Sequence, residues 1–569
     1  MCALLLVAVV SNVWWVERFR TDFPLDIDES RYISFSLTLN EDLSRGDVSD
    51  LWTDFRDETD FGPLLPVTSV PVFTVLGEDL NNAFWTQLAF LVVLGLATFG
   101  IARRLVSAPL AALAALVVIT VPGVIDFSRA YQFVVPSAAL LAAATYALLA
   151  SEGLARRGWS LAWGVLLGLT LLSRTMTLAF IPGQLAAAAW LLYARGEERR
   201  QRAGNLGLGA VAMMLVSLPW YSASGGTVFD YLTGFGYGAE STAFGADRSP
   251  LSFGYWGQEA TEAAVGLLYL PLALLLAVSL VLGAVALVLG LWLRRRVERR
   301  APIRELLAGD AFIVLILFVE GYVALTSSRN QGVGFAVPMI PLAVVLAVFA
   351  LARLPWRRTA IALAVAFAAV GAFNFAMKLG ASESLGEFRT VNPPKIRTLT
   401  VTNGEGWIQG YVRGAESYAL ALVGEPAPPA TPTEPPAQRE KEWLPFYGRV
   451  VADVATASRR ARRQPRFVIS VDEPLVNPYV FELAARRELG TQLTVDTLLG
   501  LQPPGVYRAV LAQMSPAPNA VLLVDPPGMP FYPPANQANL ARALRSLGFD
   551  RRSLFSLPDE RTAVLLQRP

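Results

Sequence analysis

Eleven apolar stretches, most of them close to the length that crosses a hydrocarbon core, set what this chain can fold into. They lie near 1–16, 84–101, 106–125, 132–150, 160–173, 175–194, 204–221, 263–292, 310–326, 332–352 and 359–378. Lipid offers the backbone no water, so such stretches must satisfy their N–H and C=O groups internally, as helices. Apolar residues make up 54% of the chain and charged residues 17%, with a mean hydropathy of +0.44, as expected of a chain built from such blocks. The sequence therefore reads as a polytopic α-helical membrane protein of about eleven spans. The first run, "MCALLLVAVVSNVWWV", has neither a basic n-region nor a small-residue cleavage site, so it is expected to be a retained span.

The loops sort by charge. Arg103 and Arg104, Arg156 and Arg157, "RGEERRQR" (195–202), "RRRVERR" (294–300) and "RLPWRR" (353–358) all fall on one side. The positive-inside rule makes that side the cytoplasm. The N-terminus is then cytoplasmic, and loops 17–83 and 222–262 and everything beyond about 379 lie outside. These arginines are spread over loops and form no single basic patch, so no nucleic-acid partner is expected. Membrane lipids are the expected surroundings.

Beyond the last span the composition changes. Residues 379–445 form a connector containing the proline-rich "GEPAPPATPTEPPAQREKE" (424–442), which cannot build a packed core. Residues 446–569 then alternate strand-like and helix-like patterns. "RFVISV" (466–471) and "AVLLVD" (520–525) read as buried strands, "NPYVFELAARREL" (477–489) and "PANQANLARALRSLG" (534–548) as amphipathic helices. A small extracytoplasmic α/β domain is expected there, attached to a membrane module of residues 1–378.

The chain has no histidine and one cysteine, Cys2, which removes the commonest general base, any intrachain disulfide and any cysteine-rich metal centre. Acid–base chemistry must fall to carboxylates, tyrosines or the three lysines, Lys378, Lys395 and Lys441. In the first external loop "PLDIDESRYISF" crowds Asp26, Asp28 and Glu29. Apolar residues recur at Tyr32, Phe35, Leu39 and Leu43, the spacing of a helix lying on the membrane with one face down. Asp28 and Glu29 at its start suit a helix N-terminus, which the local pattern favours over a site for chemistry.

"DESRY" (28–32), followed by "FGPLLPVTSVPVFTVLG" (61–77), resembles the signature of the integral-membrane GT-C glycosyltransferases, in particular the protein O-mannosyltransferases and the lipid A aminoarabinose transferases. "LLSRTMTLAFIP" (171–182), "SLPWYSAS" (217–224) and "SSRNQGVGFAVPMIPLAVVLA" (327–347) resemble the same group in the same order. The resemblance implies inverting transfer of a sugar from a polyprenyl-phosphate donor to a glycan, lipid or protein acceptor on the extracytoplasmic face of a bacterial inner membrane. It implies Asp28 as the base that takes the acceptor proton, with Glu29 orienting the site. The chemistry suits a chain without histidine, because the leaving phosphate is already anionic and a single carboxylate suffices.

Arg31 would keep the adjacent carboxylates ionised, with Tyr32 beside it in the motif. Arg129, Arg174 and Arg329, each at an external span end, are candidates for the donor phosphate, with interfacial anchoring as the alternative. Family members often carry an aspartate where this chain has Val134, with Asp126 upstream as a substitute, so no obligatory metal is expected, although a divalent cation remains compatible. Glu240, Asp247 and Glu259 lie in a glycine- and aromatic-rich loop that suits either a sugar-binding lid or an ordinary connection. Glu320, within a span, would face the donor cavity or pair with an arginine. Two other classes stay open: a transporter or flippase of envelope precursors, and a non-catalytic envelope-assembly protein.

Overall fold

The computed structural model describes residues 1–20, 27–58, 61–194, 198–238, 256–257, 260, 263–297, 307, 309–328, 334–379, 443–462, 464–473, 475–490, 493–526 and 534–568. These fall into two compact units. The first holds Met1–Val16 and the described chain from Ser36 to residue 379; the second holds Glu17–Phe35 and the described residues from 443 onward.

The first unit is helical: α1 (Cys2–Trp15), the second half of α2 (Ile27–Arg45), α3 (Val48–Asp57), α4 (Leu64–Leu76), α5 (Ala83–Arg103), α6 (Ala108–Ile119), α7 (Pro122–Ser128), α8 (Val134–Ala150), α9 (Arg157–Ser173), α10 (Ile181–Ala194), α11 (Arg199–Tyr237), α12 (Leu270–Val297), α13 (Asp310–Ser327), α14 (Ile340–Ala352) and α15 (Arg357–Leu379). Each of the eleven apolar windows carries a helix. Among the described residues six helices are long and apolar enough to cross a membrane, or seven if α6 and α7, bent by 62° at Pro122, form one span. The others, such as Val134–Ala150, are shorter.

Small residues set how closely the helices approach. In α9, Gly164 and Gly168 stand one turn apart facing α11, and a Cβ at Gly164 would lie 2.0 Å from the carbonyl oxygen of Gly209. A side chain at that crossing would have to push two backbones apart.

The second unit is a three-layer α/β sandwich. Its elements are α16 (Trp443–Ala461), β1 (Arg466–Ile469), α17 (Pro478–Leu489), β2 (Thr494–Thr497), α18 (Pro504–Gln513), β3 (Ala520–Asp525), α19 (Gln537–Ser546), β4 (Arg551–Ser556) and β5 (Thr562–Gln567). The sheet order is β2-β1-β3-β5-β4, parallel across β2-β1-β3 and antiparallel across β3-β5-β4. Both faces of β1 and β3 are covered. Phe467, Ile469, Leu522 and Val524 pack under Phe446, Val450 and Phe481 from α16 and α17. The alternate residues Val468, Val521 and Leu523 pack on Tyr507, Leu511, Leu540 and Leu544 from α18 and α19. This period of two explains why both strands read as continuous apolar runs. Both expected strands and both expected helices are present.

Candidate functional site

In the first unit the sequence motifs come together. Gly62 of "FGPLLP" abuts the backbone of "LLSRTM": a Cβ there would lie 2.4 Å from the carbonyl oxygen of Leu172 and 2.9 Å from the amide nitrogen of Arg174. Phe61 stacks on Phe133, which follows "RAYQ", with ring centroids 5.6 Å apart. Trp220 of "SLPWYS" is fully buried with Leu64, Leu140 and Leu172, and its indole N–H donates to the carbonyl of Glu58 at 2.7 Å. The guanidinium of Arg174, on extended backbone between α9 and the next turn, lies 4.3 Å from the ring centre of Phe335, a residue of the "SSRNQGVGFAVP" motif. Tyr131 shares hydroxyl hydrogen bonds with Ser36 of α2 at 2.9 Å and with Ser69 of α4. Five stretches that the sequence separates by up to about 270 residues thus form one buried neighbourhood.

The carboxylates of "DESRY" lie in the second unit, on the first turns of α2. Asp28 is exposed and Glu29 only 1% exposed, although the two are adjacent. The sequence predicts a helix here, and a helix forms; of the residues expected to share one face, Tyr32 and Leu39 are buried. Leu43 is 45% exposed, whereas Ser30, Ile33, Ser36 and Leu37 are buried. The buried set includes hydroxyls because they have partners. Ser30 Oγ donates to Asn477 Oδ1 at 3.2 Å, shared with the carbonyl of Ile27, and Ser34 Oγ donates to Glu482 Oε2 at 3.0 Å. Arg31 lies 5.6 Å from the ring centre of Tyr479 and within electrostatic reach of Asp472. Burial pushes the Asp472 carboxyl up to about 6 and that of Glu482 up to about 7. Tyr32 is 7% exposed.

Arg129 lies elsewhere in the first unit, and its buried Nη2 has no hydrogen-bond partner among the described residues. It is 1% exposed; its Nε donates to Asn12 Oδ1 at 2.7 Å, its Nη1 donates to the carbonyl of Lys378, and its guanidinium lies 4.6 Å from the centre of the Trp15 ring. Asp126 is paired with Lys378 at 2.6 Å, with both side chains buried. The sequence reading missed Lys378 as a partner. The signal was present: a lone lysine near the end of the last span, in a chain with three lysines, needs a counter-charge. Glu320 accepts from the backbone N–H of Gly183, and no arginine pairs with it among the described residues. The structure gathers Asp28, Glu29, Arg31 and Tyr32 on one helix and puts Arg129 and Arg174 at separate places in the first unit. Asp26, Arg329, Glu240, Asp247 and Glu259 lie outside the described residues. Among the described residues no three carboxylate or thiol groups converge to hold a metal.

Residues 62–221 match the sequence pattern of the family "dolichyl-phosphate-mannose-protein mannosyltransferase". Among curated protein sequences none matches the chain. Among solved structures, the fold is similar to ArnT from Cupriavidus metallidurans bound to undecaprenyl phosphate, with a TM-score of 0.53 and 16% identity over 99% of this chain and 97% of that one. The apo state of the same protein gives a TM-score of 0.55 at the same identity and coverage. The oligosaccharyltransferase AglB from Archaeoglobus fulgidus, in complex with an inhibitory peptide and a dolichol-phosphate, gives 0.45 at 13% identity, over 92% of this chain and 69% of that one. The matched segment takes in the "FGPLLP", "LLSRTM" and "LPWY" motifs that the structure packs together. In residue pattern over 62–221 and in fold along its length, the chain resembles the GT-C integral-membrane glycosyltransferases.

Proposed function

We propose that this multi-pass membrane protein transfers a sugar from a polyprenyl-phosphate donor to an acceptor hydroxyl at the extracytoplasmic face of a bacterial inner membrane. The observation that carries the reading is the packing of the family-matched segments into one neighbourhood beneath an ArnT-like fold. ArnT of that fold is seen bound to undecaprenyl phosphate, which supports a lipid-linked donor here.

In this reading Asp28, exposed at the start of α2, accepts the proton of the acceptor hydroxyl. The acceptor oxygen attacks the anomeric carbon from the face opposite the phosphate. The bond from that carbon to the phosphate oxygen breaks, and polyprenyl phosphate leaves as an anion with inversion. Glu29, being buried, orients the turn and does not touch substrate. Arg31 and Tyr32 flank the base. Arg174 is the described arginine best suited to the leaving phosphate, with Arg329 as a second. Arg129, whose Nε and Nη1 donate to Asn12 and to the carbonyl of Lys378, serves the anchoring alternative. No cofactor is obligatory, since arginine can balance the leaving phosphate, and a divalent cation can accompany the donor. The acceptor is a glycan, lipid or protein of the envelope.

The test is transfer in liposomes from a panel of polyprenyl-phosphate sugars to envelope extract, comparing wild type with Asp28→Asn. A fall of about a thousandfold or more in the variant, as for loss of a general base with its positioning, supports the reading. Wild-type transfer that survives in Asp28→Asn would mean the carboxylates only cap α2. If no donor is consumed by a folded wild type, the transporter and assembly readings gain.

A further inference from the structure

We infer that the C-terminal α/β domain is the positioning element of the helix that carries Asp28 and Glu29, acting through Asn477 and Glu482 on Ser30 and Ser34. The inference rests on the catalytic reading of Asp28 for its functional part and on geometry alone for its structural part.

The first turns of α2 belong to the same compact unit as the α/β domain, although about 450 residues separate them along the chain. Ser30 and Ser34 are one helical turn apart, so their hydroxyls project from the same face. Both are buried, at 0% and 6% exposure, and each has a partner on α17: Asn477 at its start and Glu482 in its second turn. Ser30 shares its hydroxyl with the carbonyl of Ile27 in its own helix, so the stronger constraint falls on Ser34, and the two contacts together favour one rotation of α2 over its neighbours. Asp28 stands two residues before Ser30, roughly 200° around the helix axis, and therefore points away from the α/β domain. Its exposure agrees with that placement. Arg31 over the face of Tyr479 fixes the same turn from its flank.

The partner side is itself held. Asn477 is fully buried; its Oδ1 accepts from the backbone N–H of Val480 as the cap of α17, and its Nδ2 reaches the carbonyl of Glu473. Glu473 is anchored by Arg561 at 2.7 Å, and Arg561 is also bound to Asp559. A chain of fixed groups thus runs from the β5 end of the sheet to the turn that presents the carboxylates. A domain that merely hung from the last span would not need to bury two serine hydroxyls of this helix.

The test uses the full-length protein in liposomes. Ser30→Ala/Ser34→Ala removes both hydroxyls and leaves the α17 cap intact, because Asn477 still accepts from Val480. Loss of two ordinary hydrogen bonds is expected to lower kcat about ten- to thirtyfold, with KM for the lipid donor within about twofold. Amide exchange over residues 28–37 should rise by about the same factor, while exchange in β1 and β3 stays as in wild type. Glu482→Gln, which keeps an acceptor for Ser34, should retain kcat within about twofold; Glu482→Met should not. Unchanged kcat and unchanged exchange in the double alanine variant overturn the inference. Asp28→Asn is run alongside. If it is inactive while the double variant is fully active, positioning fails and the base reading stands. If it is active, the base reading fails, and the exchange measurement alone decides whether the domain holds α2.

Discussion

The buried cluster of Asp126, Arg129 and Lys378 gives an asymmetric prediction. Lys378 Nζ lies 2.6 Å from Asp126 Oδ2, and their side chains are 1% and 8% exposed. At an effective dielectric near 20 the pair attraction is roughly 6 kcal/mol before desolvation, and removing one partner of a buried pair costs about 3–5 kcal/mol. The two removals are not equivalent. Lys378→Met leaves Asp126 with Arg129, three residues on and in electrostatic contact with it. Asp126→Asn leaves two buried cations and no carboxylate between them. We therefore expect Lys378→Met to cost about 3 kcal/mol and Asp126→Asn about 5 kcal/mol, with the double variant back within about 2 kcal/mol of wild type. Equilibrium unfolding in mixed detergent, titrated with SDS and followed by tryptophan fluorescence, measures all three. If Lys378→Met costs as much as Asp126→Asn, or the double variant is worse than either, Arg129 does not share the aspartate and the charge argument is refuted.

Gly62→Ala puts a methyl against two backbone atoms of 172–174 that cannot swing aside. A loss of about 2–3 kcal/mol is expected in the same unfolding assay, with transfer falling further than Asp126→Asn reduces it, because the displaced strand of backbone carries Arg174. The second unit should lose stability as pH rises through neutrality. Glu482 faces Ser34 from α2, Arg486 from its own helix, and the Val495 N–H and Asp496 from β2, and burial lifts its carboxyl from the usual 4.5 to about 7. The folded state then holds a proton that the unfolded chain releases, so the benefit is full below about pH 4.5 and is lost as pH passes about 7. The sum is about 1–3 kcal/mol, with Asp472 adding in the same direction. Amide exchange of β1 and β3 in the intact protein at pH 5 and pH 8, corrected for intrinsic rates, reads it; Glu482→Gln should flatten the slope.

The parts of this fold legible in the sequence are those fixed by local composition. An apolar run of bilayer length dictates a helix whatever surrounds it, and each of the eleven windows holds one. The strands 466–471 and 520–525 were readable for a related reason: both faces are covered, so apart from Arg466, Ser470 and Asp525 every residue is apolar. The long-range pairings that stabilise the two units were not readable, because they join residues whose separation carries no local signal. Asp126 and Lys378 are 252 residues apart, and Ser30 and Asn477 are 447 apart. Ser30 and Ser34 carried no local signal of burial, since serine one turn from serine reads as a wet face; the stripe expected to lie on the membrane was Tyr32, Phe35, Leu39 and Leu43, of which Tyr32 and Leu39 are buried. Burying those hydroxyls is helped by a domain encoded at the far end of the chain, which supplies an acceptor for each, beside the carbonyl of Ile27 that Ser30 also uses. The sequence therefore drew the first external loop as one element of the membrane module, whereas its first helix is divided at Phe35, with the carboxylate end grouped with the α/β domain. Under the proposed function, a chain without histidine places its base by helix geometry rather than by a tunable imidazole. The sandwich, in one compact unit with the start of α2 and with Arg561, Glu473 and Asn477 linked behind the helix, is suited to holding that geometry.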